Sequence, residues 1–256
     1  MNRRGYLAVC GAICGGLAGC SGNSNDSTEG TAGPAQDGYP PESGTTPTER
    51  PTDTSAFDTT TVEGVDVPLA PVDATHHWYR RRAARFVDAR GQAQYDRSHI
   101  TGAVLSPAPD GTGDDPVEAW PTDDRIVCYC GCPHHLSSLR AASLVENGYE
   151  QVYVIDEGFW EWQDRGYPIS GEEVSTEPAV QQIAGLTAAD YAGQMAWAWH
   201  EPTGQREATP IDDGGAYTLE LHFSDVTPES TIAVETPGYR IEDSLDALTA
   251  QTVTAP

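Results

Sequence analysis

Three thiols and two imidazoles fall within one stretch of eight residues, Cys128-Tyr129-Cys130-Gly131-Cys132-Pro133-His134-His135. Apolar Ile126 and Val127 precede it, and Leu136, Leu139, Leu144 and Val145 follow at near-helical spacing, with Gly148 as a stop. The pattern predicts a strand that ends at Cys130, a tight loop from Gly131 to His135, and a helix from Leu136. In that arrangement the unpaired amides of the loop and of the helix N-terminus point at the Cys130 thiol. They lower its pKa and stabilise a thiolate or a terminal persulfide anion. Such a group suits sulfane-sulfur transfer, in which a thiolate takes sulfur from a donor such as thiosulfate and yields it to a thiophilic acceptor. Two other chemistries use the same residues. Cys130, Cys132, His134 and His135 are soft and borderline ligands for zinc or copper(I), at a spacing compressed for a tetrahedral knuckle. Cys130 and Cys132 can also serve as a redox sensor or a transient disulfide. Cys128, inside the strand, reads as a packed, inert thiol.

The elements needed to hold this loop are legible around it. Between 62 and 170 short β-type runs alternate with helical ones, the signature of an α/β unit with a mostly parallel sheet and helices on both faces. The strands are read as Arg85 to Asp88, Ala103 to Leu105, Ile126 to Cys130 and Val152 to Ile155. The helices are read as Asp73 to Arg82, Leu136 to Asn147 and Phe159 to Arg165. Over 171–256 the pattern changes to two-residue alternation with turn signals. Strands are expected at Gln194 to His200, Arg206 to Ile211, Ala216 to Phe223 and Thr231 to Glu235, making a small sandwich-like all-β domain. Its run from Gly214 faintly resembles transthyretin-like or carboxypeptidase-regulatory-like modules, and no motif in it specifies a ligand.

Four segments together resemble the rhodanese family. Arg85-Phe86-Val87-Asp88-Ala89-Arg90 is similar to its first strand and D-x-R signature. Tyr95 to Ala103 is similar to its E-Y-x-x-G-H-I-P-G-A segment, with Ser98 and Thr101 in place of Gly and Pro, and the cysteine loop follows. Val154 to Trp162 with Gly166-Tyr167-Pro168 is similar to the closing pattern, with Glu157 in place of its first glycine. The resemblance spans 62–170. It implies Cys130 as the nucleophile, because Cys130 follows Tyr129 at the end of the third strand, with Cys132 as an alternative or resolving thiol. It implies a substrate-binding loop of Gly131, His134, His135, Leu136 and Ser137, Arg90 at the rim, and a structural signature of Asp88, His99, Gly102, Gly158 and Trp162. No cofactor is implied. The loop departs from the family's usual form: no Arg follows until Arg140, the expected auxiliary charge, so the resemblance leaves the donor open. The related phosphatases need an Arg to grip phosphate bidentately; the position six after Cys130 is Leu136.

Residues 1–20 have a signal-peptide shape. Asn2 to Leu7 resembles a twin-arginine export motif, and Leu17-Ala18-Gly19-Cys20 resembles a lipobox, in which Cys20 carries the lipid. The expected location is extracytoplasmic, anchored to the membrane by lipidated Cys20. Residues 21–61 are Ser, Thr, Gly, Pro, Asp and Glu with few large apolar side chains, and read as a disordered acidic linker without secondary structure. Thirty-nine acidic residues stand against 14 basic ones, every basic residue is Arg, and the formal charge is -25. That balance excludes nucleic acid and anionic lipid as partners. Spread along the whole chain, it resembles the composition of proteins from salt-loving archaea, where salt screens the repulsion. The remaining partners are a small sulfur-containing anion, a thiol acceptor, and whatever protein the β domain recognises.

Overall fold

The computed structural model describes residues 37–131, 133–174 and 177–256. The leader with Cys20, the first part of the linker, and Cys132 lie outside the described residues.

Two strands of a hairpin open the fold, β1 (Asp58–Val62) and β2 (Val65–Ala70). They are followed by α1 (Val72–Arg80), β3 (Arg85–Asp88), α2 (Gln92–Arg97), and the short strands β4 (His99–Ile100) and β5 (Val104–Leu105). The central part is β6 (Arg125–Tyr129), α3 (His135–Glu146), β7 (Gln151–Ile155), α4 (Gly158–Asp164) and β8 (Ile169–Ser170). The main sheet runs β1-β2-β7-β6-β3-β5; every pairing in it is parallel except the β1–β2 hairpin. β6 lies between two parallel neighbours, and its run of apolar residues is what a strand covered on both faces requires. Val67, Val87, Cys128 and Val154 meet Ala141, Ala142 and Leu144 of α3 on one face. Val127, Tyr129 and Ile155 meet Trp78 and Tyr79 of α1 and Phe159 and Trp162 of α4 on the other.

The C-terminal part is antiparallel. β9 (Gln181–Leu186) pairs with β12 (Ala216–Leu221). β10 (Met195–His200), β11 (Gln205–Pro210), β13 (Thr231–Thr236) and β14 (Tyr239–Ser244) form a sheet in the order β11-β10-β13-β14, and α5 (Leu245–Thr249) follows. Ile183, Ala196, Ala198, Leu219, Leu221, Ile232, Val234 and Leu248 form their shared core. The alternation of β10, Met-Ala-Trp-Ala-Trp-His, serves two cores at once. Its alanines face the β core, while Met195 and Trp197 pack on Cys130, Leu136, Leu139 and Ala208. The two halves approach closely elsewhere too, since a Cβ on Gly91 would fall on the carbonyl oxygen of Gly204.

The expected strands and helices of 62–170 and the four expected C-terminal strands are present with ends shifted by a residue or two. β2, α2, β4, β8, β9, β14 and α5, the last capped by Ser244, are additions. The absence of secondary structure expected up to residue 61 needs correction from Asp37 onward. β1 begins at Asp58, and a single turn of 3-10 helix covers Thr54–Ala56. Tyr39 takes the Arg85 guanidinium over its ring at 4.3 Å, Gly38 accepts a hydrogen bond from the Phe86 amide, and Phe57 packs on Trp78 and Tyr153. Two aromatic side chains in a polar segment are enough to lay it on the α/β half. At the end of α1, Arg81 reaches Glu49 at 3.2 Å, and Arg82 lies over Tyr39.

Candidate active site at the Cys130 loop

Open parallel sheets bind ligands beyond the carboxyl ends of their strands, and Cys130 is the first residue past the end of β6. Its carbonyl accepts a hydrogen bond from the Phe159 amide at 2.9 Å, which ties the loop to the start of α4. Its thiol lies 3.3 Å from the Ser137 hydroxyl. His134, in the left-handed region at φ 44°, turns the chain into α3, and no side chain caps that helix. The first amides of α3 therefore face the loop with their donors directed outward from the helix, and the partial positive charge of its N-terminus lies beside the thiol.

Cys128 and Cys130 are both fully buried. Around Cys128 are Val87, Val154, Ala141 and Leu144, and burial pushes its thiol up to about 12. Cys130 sits at the seam between α3 and the β half, with Ala208 of β11 in its cluster. Gly131 carries the seam further: a Cβ there would lie 3.3 Å from Trp160 Nε1 and 3.9 Å from both His222 Cγ and Arg90 Cδ. Neither Trp160 Nε1 nor His222 Nδ1 has a hydrogen-bond partner among the described residues. His222 Nδ1 is 3.9 Å from Glu207 Oε1, too far for a hydrogen bond, and Glu207 accepts one from Gln94 Nε2 at 3.0 Å. Burial lowers the pKa of His222, and likewise that of His135.

The other predicted residues divide between loop and frame. Leu136 and Ser137 are buried at the start of α3, and His134 lies 3.6 Å from Asp156. Arg90 lines the Gly131 contact with its aliphatic stem, while its guanidinium is committed inward. It donates to Asp88 at 2.9 and 2.6 Å and to the Ser98 carbonyl at 2.7 Å. Burial works against its charge, and the Asp88 carboxylate outweighs that and moves its pKa up. Arg140 is turned away to Ser106, at 2.7 Å, and to Asp115, at 3.3 Å. That guanidinium serves the wall behind β5 rather than the loop, because Asp115 and Ser106 form a buried polar pair that needs a cation. His99 stacks on Tyr95 and contacts the Tyr95 carbonyl, Gly102 turns at φ 90°, Gly158 starts α4 at φ 79°, and Trp162 is buried against the sheet. Glu157, which replaces a glycine of the resembled pattern, accepts a hydrogen bond from the Val72 amide at 2.8 Å and so caps α1, where Pro71 has no donor or side-chain acceptor to offer. Among the described residues no three His, Cys, Asp or Glu side chains converge as a metal site.

Sequence reasoning missed Trp160, Glu207 and His222 as neighbours of the loop. Trp160 reads as a sheet-packing residue, and nothing along the chain connects β11 or His222 to a loop some 80 residues earlier.

The family described as Rhodanese-like domain matches residues 74–165. Among solved structures, the chain is similar to a rhodanese-like domain from Anabaena sp. solved by NMR, at 23% identity over 44% of this chain and 85% of that one, with a TM-score of 0.37. It is similar to a thiosulfate sulfurtransferase from Pseudomonas aeruginosa at 19% identity over 41% of this chain and 20% of that one, with a TM-score of 0.36. A rhodanese-related protein from Thermoplasma volcanium is matched at 15% identity, over 41% of this chain and 98% of that one, with a TM-score of 0.33.

Proposed function

From the rhodanese-like domain at 74–165, we propose that this protein transfers sulfane sulfur through a persulfide on Cys130. The observation that carries the reading is the placement of this thiol: at the carboxyl end of a central parallel strand, 3.3 Å from Ser137 Oγ, against the uncapped start of α3. Cys130 as thiolate attacks the outer sulfur of a donor. A new S–S bond forms, the donor's S–S bond breaks with its electron pair going to the leaving group, and the persulfide is held by the helix amides. An acceptor thiolate or cyanide then removes that sulfur. Cys132 is the alternative or resolving thiol of this reading, and His134, His135 and Ser137 line the loop. The leader sequence and Cys20 support a location on the outer face of the membrane through a lipid anchor; among the described residues no helix is long and apolar enough to cross a membrane.

The test is mass spectrometry of the intact chain after treatment with sulfane donors in high salt, with cyanide-dependent turnover measured in parallel. A gain of one sulfur atom on Cys130, lost in Cys130→Ser together with turnover, is the expected result. Full turnover in Cys130→Ser removes the assignment. The complete burial of Cys130 beneath β11 favours a second reading, a module that accepts and holds sulfur without turnover. Stoichiometric persulfide with no cyanide-dependent cycle would select it.

A further inference from the structure

The cations of this chain are few and unevenly placed. Over the whole sequence 14 basic residues stand against 39 acidic ones, yet three arginines meet one carboxylate around a single crevice of about 220 Å³. Glu49 and Arg50 line it from the segment before β1, His77 and Trp78 from α1 with Arg81 just past its end, and Arg125 from the first position of β6. Cys130 follows the other end of β6, so the crevice is separate from the thiol loop.

Its positive charge is only partly answered. Arg81 donates to the Pro47 carbonyl at 2.5 Å and pairs with Glu49 at 3.2 Å. Arg50 is exposed and has no carboxylate within ion-pair distance among the described residues. Arg125 donates only to uncharged acceptors, the Ala83 carbonyl at 3.3 Å and Gln151 Oε1 at 3.4 Å. Its guanidinium lies over the Trp78 ring at 4.4 Å, and its buried Nε has no partner among the described residues. His77 is 7% exposed, and its Nε2 is likewise buried without a partner. Burial lowers the pKa of His77, Arg50, Arg81 and Arg80 lower it further, and Glu49 opposes them; the ring is held neutral, and its orphaned nitrogen can serve as an N–H donor. The carboxylates of the adjoining crevice are engaged elsewhere. Asp73 pairs with Arg165 at 2.6 Å, and Asp53 accepts from the Ser55 amide at 3.1 Å and hydroxyl at 2.6 Å. Two guanidinium charges without an acid, beside two buried nitrogens without a partner, are what a doubly charged oxyanion satisfies.

We propose that this crevice is an anion site that takes one divalent tetrahedral oxyanion, of which sulfate is the simplest, between Arg50, His77 and Arg125. The ion ties the segment before β1 to α1 and to the start of β6. The site is independent of sulfur transfer at Cys130 and stands or falls without it.

The experiment is equilibrium dialysis of the full chain against radiolabelled inorganic sulfate, in excess chloride salt that screens the diffuse acidic charge. The wild type is expected to bind one sulfate per chain, saturably. Arg50→Gln is expected to weaken binding about tenfold, the worth of one hydrogen bond between charged groups. Because Arg50 is exposed and unpaired, its loss leaves the fold intact. His77→Phe removes a ring nitrogen and no charge, and is expected to weaken binding by about the same factor. Arg240→Gln takes an equal charge from the surface of the β half, and is expected to leave the affinity where it was. Absence of saturable binding in the wild type overturns the proposal, as does unchanged affinity in Arg50→Gln, whether or not the His77 variant folds. Full affinity in a folded His77→Phe, or an equal loss in Arg240→Gln, would show diffuse attraction in place of a site and overturn it as well.

Discussion

Two neighbouring regions, the interior of β6 and the loop just past its end, each place a thiol in complete burial and give it opposite prospects. Inside β6, Cys128 is enclosed by Val87, Val154 and the alanines of α3, and its thiol is pushed up to about 12. Two residues on, past the strand end, Cys130 has Ser137 at 3.3 Å, the uncapped start of α3, and the β half as a roof. Burial alone therefore does not decide whether a cysteine is available for chemistry. What decides it is whether the surrounding groups can hold a negative sulfur, and backbone amides can where methyl groups cannot.

The comparison breaks most directly by exchange of the two thiols. Cys130→Ser is expected to abolish both persulfide formation and cyanide-dependent turnover, while Cys128→Ala keeps both; activity lost in the Cys128 variant with its fold intact would erase the distinction. Next in size is the frame beneath the loop. Arg90→Leu leaves Asp88 as a buried charge without its ion pair, and is expected to destabilise the protein by about 3–5 kcal/mol in denaturant unfolding. Ser137→Ala removes the hydroxyl beside Cys130 and is expected to slow persulfidation by about tenfold, the worth of one hydrogen bond to a charged group, with little change in stability. Cys128→Ala is expected to cost about 1–2 kcal/mol of stability through loss of packed sulfur.

The smallest effect concerns a half-buried histidine of α1. Burial depresses the pKa of His76, stacked on Tyr167 at 3.5 Å, to about 4 against an ordinary value of 6.5. The native state thus holds it neutral where the unfolded chain binds a proton. Its contribution is complete above pH 6.5 and is lost as the pH falls from 6.5 towards 4. Melting temperatures across that interval are expected to fall less steeply in His76→Phe than in the wild type; parallel slopes would show that the ring is solvated.

The strand, loop and helix around Cys130 could be read from the sequence because they are local. Ile126-Val127 before the thiol and the leucines after it state their own periodicity. The committed partners of Arg90 and Arg140 were less visible. Asp88 is two residues from Arg90, but Asp115 reaches Arg140 only because β5 and β6 place Ser106 and α3 side by side. The roof was not legible at all. Glu207 sits on a strand and His222 just past the end of β12, where alternation speaks only of an inner and an outer face, and β11 gives no sign that its outer face, with Ala208, meets a thiol. β10 offers a partial hint in retrospect: Trp197 and Trp199 alternate with alanines, and large aromatic side chains on the supposed solvent face of a strand call for a cover.

The contact between Ala208 and Cys130 also bears on the order in which the molecule is finished. The thiol and its loop are complete in sequence long before β11 is made, so a growing or partly folded chain carries a nucleophile open to any electrophile it meets. Enclosure arrives only with the final third of the polypeptide. Alkylation of Cys130 during refolding would then act as a stopwatch for the docking of the last strands.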